Sequence, residues 1–355
     1  MTNSLLLVDD KKEALNALAA ELATALPTKE GEIRLWVPSD KDHDPRASFF
    51  ERVDDTTTLV VADHDLTSSG RTGLFGSSIV AWCQERAIPV VDFSRAPDTS
   101  LPREPELFEL RIPLDPEKAV PSIVALFRGF KAITDALRAD PDLLALRGAA
   151  AVLSRILGVP ESENQLSLYA VRLGPTSGSL MARISGDQPS DEQKRALLGY
   201  IAGHLLLTVL RFPGPIISTD ALKAYLASDE ANSRDVTDLF KKARYFGPFG
   251  DLEPFFWLTK VNAELEKLIP EGADADTVGE LHRTAIEARL QRKLRQHDCP
   301  RCHGKNGGYY CPFTKRTVCQ LPYCSVGANS WIPPGASICR IEREFFDEWG
   351  PVLGL

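Results

Sequence analysis

Short apolar runs alternate with amphipathic segments along the N-terminal third of the chain. Runs that predict strands occur at SLLLV, EIRLWV, TTLVVADHDL, IPVVDFS and ELFELRIPL. The segments between them, such as KKEALNALAAELATAL, repeat apolar residues at helical spacing and predict helices. Strands and helices that alternate at this interval are typical of a parallel sheet covered on both faces. Residues 1–120 are therefore predicted to form a doubly wound α/β domain with five parallel strands.

The apolar pattern becomes mostly helical after this domain. Two helices are predicted between residues 117 and 157, with a break at the Asp-Pro pair of 140–141. Residues 165–185 alternate apolar and polar positions on both sides of a Gly-Pro-Thr-Ser-Gly turn, which predicts a β-hairpin. A strongly apolar helix follows. We interpret its His204 as a core residue, because no catalytic motif accompanies it.

Three short helix signals then occupy residues 216–268, in STDALKAYLA, SRDVTDLFKKARYF and PFFWLTKVNAELEKLI. They are compatible with a winged-helix-like module, although helical bundles that bind protein or only pack have the same pattern. The predicted domains are the α/β domain, a helical region with a hairpin, a second helical region and a cysteine-rich metal-binding module, at 1–120, 121–214, 215–295 and 296–355.

Six of the seven cysteines lie in that last segment, which is rich in Gly, Pro and aromatic residues and has no helical or strand period. So short a segment cannot bury enough apolar surface to fold without help. We therefore predict that a bound metal orders it. Cys299 and Cys302 have the spacing of a metal knuckle, and Cys319 and Cys324 can complete a tetrahedral four-thiolate site. The knuckle resembles the first half of a zinc ribbon, but the second CxxC of that family is absent.

More than one chemistry suits this cysteine pattern. A single Zn²⁺ is the first interpretation and an iron–sulfur cluster the second, because four cysteines serve both. Disulfides are the third. Three further residues could replace one of these four cysteines as a metal ligand: Cys311, Cys339 and His303. A zinc ion with four thiolates has no open position for water or substrate, so such a site would be structural.

Polar residues end the predicted strands of the N-terminal sheet. Asp9 and Asp10 follow the first strand, Asp63 ends the third and Ser94 ends the fourth. Ligands of such sheets bind at the carboxyl ends of the strands. Clustered carboxylates repel one another unless a cation lies between them, and Mg²⁺ prefers oxygen ligands. The pattern therefore predicts a Mg²⁺ site at this edge.

These strand-end residues resemble those of the receiver domain of two-component response regulators. The resemblance implies that Asp63 accepts a phosphoryl group from a histidine kinase while Asp9 and Asp10 bind Mg²⁺. It further implies that the backbone at Asp65 completes the metal site and that Ser94 bonds the phosphoryl oxygen.

The resemblance covers residues 1 to about 117 and departs from the family at one position. Receivers place a lysine before a proline at the end of the fifth strand, and this chain has Ile112 there. That lysine neutralises phosphoryl charge and couples it to the switch. Two interpretations therefore stay open: a working phosphoacceptor, and a degenerate receiver retained as a docking surface.

Charge is unevenly distributed along a chain whose formal net charge is −8. Residues 1–117 hold 12 Lys and Arg against 22 Asp and Glu, whereas residues 281–316 hold 9 against 2. The basic stretch could face an acidic protein partner or a nucleic acid, or it could be a solvated helix that leads to the metal site. Its candidate contact residues are Arg289, Arg292, Lys293 and Arg295.

Together these patterns favour a signalling or adaptor protein, in which a receiver-like input controls a helical and zinc-binding output. The alternative is an enzyme or redox sensor with a C-terminal iron–sulfur or catalytic metal site, although the chain has no Walker loop, GxGxxG, GxSxG or HExxH. No apolar run reaches membrane-spanning length, and two aspartates interrupt the first one, so we expect a cytoplasmic protein without a membrane partner. Whether the protein forms a homodimer is left open by the sequence.

Overall fold

The computed structural model divides the chain into two compact units. The N-terminal unit comprises Met1–Ile156, Pro175–His204 and Gly247–Leu252, and the C-terminal unit comprises Leu157–Gly174, Leu205–Phe246 and Glu253–Leu355. The structure describes residues 3–38, 44–63, 66–67, 74–93, 109–112, 115–146, 148–170, 190–230, 233–296, 299, 301–303, 308–327 and 330–351. The predicted division into four domains stays a prediction.

A parallel sheet forms the centre of the N-terminal unit. Four strands of the described residues lie side by side in the order β2-β1-β3-β4. They are β1 (Ser4–Val8), β2 (Glu32–Trp36), β3 (Thr57–Asp63) and β4 (Val90–Phe93). The segment β5 (Glu109–Arg111) pairs with β4, also in parallel. This sheet confirms the predicted α/β architecture of the N-terminal region.

The apolar strands fold as their pattern indicates, because both faces of the sheet are covered. Every residue of β1 is buried, and helices from the same unit contact the sheet. The helices of this unit are α1 (Lys12–Ala25), α2 (Pro45–Phe50), α3 (Gly76–Glu85), α4 (Pro116–Ala139), α5 (Ala149–Ile156) and α7 (Asp191–His204). Asp44 and Asp115 accept backbone N–H bonds at the starts of α2 and α4, and so cap them.

The second helix predicted between 117 and 157 is interrupted. Residues Pro141–Ala145 form a 3-10 turn, and α5 begins only at Ala149. Gly148 between them has a φ of 134°, a conformation that glycine adopts readily and that no α-helix contains. The break therefore has a local backbone cause.

The C-terminal unit combines short helices with small antiparallel strand pairs. Its helices are α6 (Glu163–Ala170), α8 (Thr219–Tyr225), α9 (Arg234–Leu239), α10 (Leu258–Glu266), α11 (Val278–Leu290) and α12 (Arg343–Trp349). The strands are β6 (Ile216–Ser218), β7 (Phe255–Trp257), β8 (Tyr309–Cys311), β9 (Arg316–Val318), β10 (Ser325–Val326) and β11 (Ile341–Glu342). They pair as β6 with β7, β8 with β9 and β10 with β11.

The predicted hairpin over 165–185 is wrong in its first arm. Residues 165–170 belong to α6, where Leu166 and Tyr169 are buried and Leu168 is exposed. The two buried positions are three residues apart, so they share one face of a helix. The rest of the predicted hairpin lies outside the described residues.

One of the three helix signals after residue 216 begins with a strand. Phe255–Trp257 pairs with Ile216–Ser218, and the helix starts only at Leu258. Aromatic residues favour this pairing, and all three side chains of β7 are buried. Among the described residues, no helix is both long enough and apolar enough to cross a membrane.

Candidate metal centres

An acidic cluster lies where β1 and β3 end. These neighbouring strands are parallel, and Val8 is in register with Ala62. The residues that follow, Asp9 and Asp10 after β1 and Asp63 at the end of β3, therefore meet at one edge of the sheet. The order β2-β1-β3-β4 places β2 on one side of β1 and β3 on the other, which makes this edge the topological switch point where doubly wound folds bind ligands.

The three carboxylates of this acidic cluster are close enough to share one cation. One oxygen of each lies within 4.8 Å of the others, and all three side chains are half-buried. Burial raises the pKa of Asp9 above its usual value, and the charges of Asp63 and Asp10 raise it further, while the Lys11 N–H that donates to Asp9 Oδ1 at 2.7 Å opposes the rise. A cation bound here would relieve this repulsion, and oxygen donors suit Mg²⁺.

Other predicted members of the receiver site cannot be placed in the same way. Asp65 and Ser94 lie outside the described residues. Ile112 is only 5% exposed, so the position where receivers carry a lysine holds a buried apolar side chain. The structure therefore brings together the three carboxylates of the predicted site. Position 112 contributes no positive side chain to it.

The second centre is the thiolate cluster, which consists of Cys299, Cys302, Cys319 and Cys324. Their sulfur atoms all lie within 4.8 Å of one another, and they are the four cysteines selected by spacing. A turn closed by the His303 N–H, which donates to the Cys299 carbonyl at 2.9 Å, holds the first two. Cys319 directly follows β9, and Cys324 directly precedes β10.

The geometry of the thiolate cluster fits one tetrahedral ion. Cys302 Sγ and Cys319 Sγ are 3.7 Å apart. Four sulfurs at a zinc–sulfur distance of about 2.3 Å form a tetrahedron whose edge is about 3.8 Å. These four cysteines can therefore hold a metal ion.

The thiols of the cluster cannot all ionise without a cation. Burial disfavours the Cys299 thiolate, but backbone N–H donors from Cys302, Arg301 and Cys319 prevail and lower its pKa to about 7. Burial raises the pKa of Cys319 to about 11, and the nearby Cys299 thiolate adds to the rise. A metal cation between the four sulfur atoms would stabilise all four cysteines as thiolates.

The alternate ligands lie outside the thiolate cluster. Cys311 Sγ accepts the Glu342 N–H at 3.3 Å, and Cys339 Sγ is 3.6 Å from the Pro213 carbonyl oxygen. Both of these cysteines are buried, whereas His303 is exposed. Cys311 and Cys339 are thus core residues of the C-terminal unit.

The predicted basic contact residues are largely paired with carboxylates. Arg289 is exposed near the end of α11, and the other three follow the helix. Arg292 contacts Glu230 and Asp235 at 2.6 Å each, Lys293 contacts Glu287 at 2.9 Å, and Arg295 contacts Asp229 at 3.0 Å. These pairs reduce the positive charge that the stretch offers to an external partner.

A charged cleft of about 500 Å³ is a feature that the sequence did not indicate. It is lined by Arg301, Arg316, Glu342, Glu344 and Asp347. These residues come from the cysteine knuckle, from β9 and from the β11–α12 segment, so only the tertiary fold brings them together.

Comparison of the chain with protein-family models, with curated proteins and with solved structures finds no match. The interpretation of both metal centres therefore depends on their own geometry.

Proposed function

We propose that the chain is a signalling protein of the response-regulator type, in which Asp63 accepts a phosphoryl group beside a divalent cation held by Asp9 and Asp10. The observation that carries this proposal is the meeting of these three carboxylates at the β1–β3 switch point. Doubly wound proteins bind ligands there, and phosphoryl transfer requires positioning and charge neutralisation more than covalent chemistry from the protein.

In the proposed reaction an Asp63 carboxylate oxygen attacks the phosphorus of a phosphohistidine on a kinase. The phosphorus–nitrogen bond breaks, its electron pair returns to the imidazole, and an acyl phosphate forms on Asp63. Mg²⁺, when bound, supplies positive charge to the phosphoryl oxygens. Asp9 and Asp10 hold that ion, and the backbone N–H of Lys11 fixes the orientation of Asp9.

The buried Ile112 leaves phosphorylation possible, but it removes the contact through which receivers couple phosphorylation to their switch. The proposed acceptor and the proposed metal ligands are the three carboxylates of the acidic cluster, which does not include that position. A phosphoryl group on Asp63 would lack the lysine contact that receivers use for switching. We therefore propose that Asp63 is a working phosphoacceptor and that a contact other than the receiver lysine transmits its signal. The competing outcome is a domain that is not phosphorylated and serves only as a docking surface.

The output of this proposal is the C-terminal unit, held by one Zn²⁺ in the thiolate cluster. The 3.7 Å sulfur separation supports a single ion. An iron–sulfur cluster holds its thiolates further apart, because several irons and sulfides lie between them. Since the nearby Arg292, Lys293 and Arg295 are already paired, we propose that this unit binds a protein partner rather than a nucleic acid.

Phosphorylation is tested by treating the full-length protein with acetyl phosphate and measuring its intact mass. We expect the mass gain of one phosphoryl group in the presence of Mg²⁺, and its loss with EDTA. The variant Asp63→Asn should gain nothing, because its amide cannot form the acyl phosphate.

The matched control for this experiment is Glu51→Gln, which removes an exposed carboxylate that is not part of the acidic cluster. This variant should be labelled like the unmodified protein. If the unmodified protein gains no phosphoryl group under any Mg²⁺ concentration, or if Asp63→Asn is labelled equally, the proposed phosphoacceptor is wrong.

A further inference from the structure

The charged cleft beside the cysteine knuckle is an open depression that is large enough for a small molecule. Its volume of about 500 Å³ lies within the range of ligand pockets. Two arginines and three carboxylates line it: Arg301, Arg316, Glu342, Glu344 and Asp347. Both signs of charge therefore face the same space.

Glu342 is the innermost of these side chains. The residue is 7% exposed, and Oε1 lies 3.5 Å from Arg316 Nη1. Oε2 is buried and has no hydrogen-bond partner among the residues that the structure describes. A buried carboxylate oxygen without a donor is unfavourable, so Glu342 is the lining carboxylate that would gain most from a ligand that carries N–H groups.

The backbone holds Glu342 in place. Its N–H donates to Cys311 Sγ at 3.3 Å, and the residue is paired with Ser325 across β10 and β11. Because β11 runs directly into α12, Glu344 and Asp347 follow Glu342 closely along the chain, and all three line the cleft. Arg343 pairs with Asp347 at 2.9 Å, so Glu342 and Glu344 provide most of the negative charge for a cationic group.

The arginines supply the opposite charge. Arg316 begins β9, and its side chain is 62% exposed, so most of its guanidinium stays available beyond the Glu342 contact. Arg301 is exposed and lies between Cys299 and Cys302. Guanidinium groups bind carboxylates in a planar, two-bond geometry, which makes these two side chains suited to a ligand carboxylate.

We propose that this cleft binds a free α-amino acid. The ligand ammonium donates to the Glu342 carboxylate, and the charge of Glu344 strengthens that contact. The ligand carboxylate accepts hydrogen bonds from Arg301 and Arg316. An anion alone would face three carboxylates, and a cation alone would face two arginines. A zwitterion meets a partner of opposite charge at both ends.

The thiolate cluster and the cleft are connected through Arg301. Its backbone N–H donates to Cys299 Sγ, so a metal held by the cluster fixes the residue that forms one wall of the cleft. Removal of the metal should therefore weaken amino-acid binding. This binding function is separate from phosphorylation at Asp63, and neither depends on the other.

Isothermal titration of the full-length, metal-loaded protein with each common free α-amino acid tests the proposal. Propionate and propylamine serve as probes that carry only one of the two charges. We expect at least one amino acid to bind and both single-charge probes to fail. Glu342→Gln should weaken binding roughly tenfold or more, because it replaces a charge-assisted hydrogen bond by a neutral one. Glu348→Gln, an exposed change on the same helix outside the cleft, should have no effect.

Arg301→Gln provides a second variant that does not disturb a buried group, since Arg301 is exposed. It should weaken binding by a similar factor while the metal content of the protein stays unchanged. If no amino acid binds, water alone solvates the charged side chains of the cleft and the proposal is wrong. It is equally wrong if an amino acid binds but neither Glu342→Gln nor Arg301→Gln weakens the binding.

Discussion

At the scale of single residues, His204 is the buried group whose charge state is most constrained. It is 1% exposed, its ring stacks on that of Tyr200, and neither ring nitrogen has a hydrogen-bond partner among the described residues. Burial lowers the pKa of His204 to about 4. The sequence correctly indicated a core histidine, but it could not show that the core offers the ring no partner.

This histidine should make the folded state sensitive to acid. The unfolded chain takes up the proton near pH 6.5 and the folded chain only near pH 4, so stability falls as the pH drops through that interval. At pH 5 the loss should be about 2 kcal/mol. Denaturant unfolding of the wild type and of His204→Phe at pH 7 and pH 5 measures it. The variant should lose less stability than the wild type by about that amount; an equal loss would show that His204 does not titrate in this way.

At the scale of elements, helix α6 is attached to the C-terminal unit by Tyr169. The buried Tyr169 hydroxyl donates to the Phe212 carbonyl at 2.8 Å. Its ring lies so close to Gly335 that a Cβ there would be 2.4 Å from a ring carbon. A larger residue at 335 would therefore displace the ring, and glycine is required for this close approach.

Removing the Tyr169 hydroxyl should destabilise the protein. Tyr169→Phe leaves the Phe212 carbonyl buried without its donor, which costs about 1–2 kcal/mol. The matched control is Tyr323→Phe, where the side chain is 56% exposed and the change should be within about 0.5 kcal/mol. Urea unfolding of both variants gives the comparison. Equal stabilities would mean that this hydrogen bond does not anchor α6.

The same elements show why sequence reasoning succeeds in one place and fails in another. Strand β1 is buried along its whole length, so its apolar run has one interpretation. Parallel strands end at one edge, and the meeting of the acidic cluster followed from that rule alone. Residues 165–170 carry apolar positions that fit both a strand and a helix, and tertiary packing decides between them. Phe255–Trp257 became a strand because Ile216–Ser218, far away in sequence, pairs with it.

The thiolate cluster and the charged cleft differ in how far the sequence indicates them. The thiolate cluster could be selected from sequence because two pairs with short spacings supply all its ligands. The cleft could not, because Arg301, Arg316 and Glu342 belong to three separate segments. Glu342 in particular looks like an ordinary surface carboxylate until the fold buries it.

At the scale of the whole molecule, the two candidate metal centres lie in two different structural units. The acidic cluster of the N-terminal unit offers oxygen ligands to a hard, exchangeable ion such as Mg²⁺. The thiolate cluster of the C-terminal unit offers four sulfur ligands to a tightly held ion such as Zn²⁺. The proposed signalling function requires the first as its input and the second as the support of its output.

Native mass spectrometry of the protein in the presence of Mg²⁺ shows whether the two clusters hold these two ions. We predict one zinc that survives desalting and one Mg²⁺ that is lost with EDTA and is absent from the Asp10→Asn variant, which keeps its zinc. A protein that carries no zinc, that carries several irons with sulfide, or that binds Mg²⁺ equally well after Asp10→Asn would contradict the account.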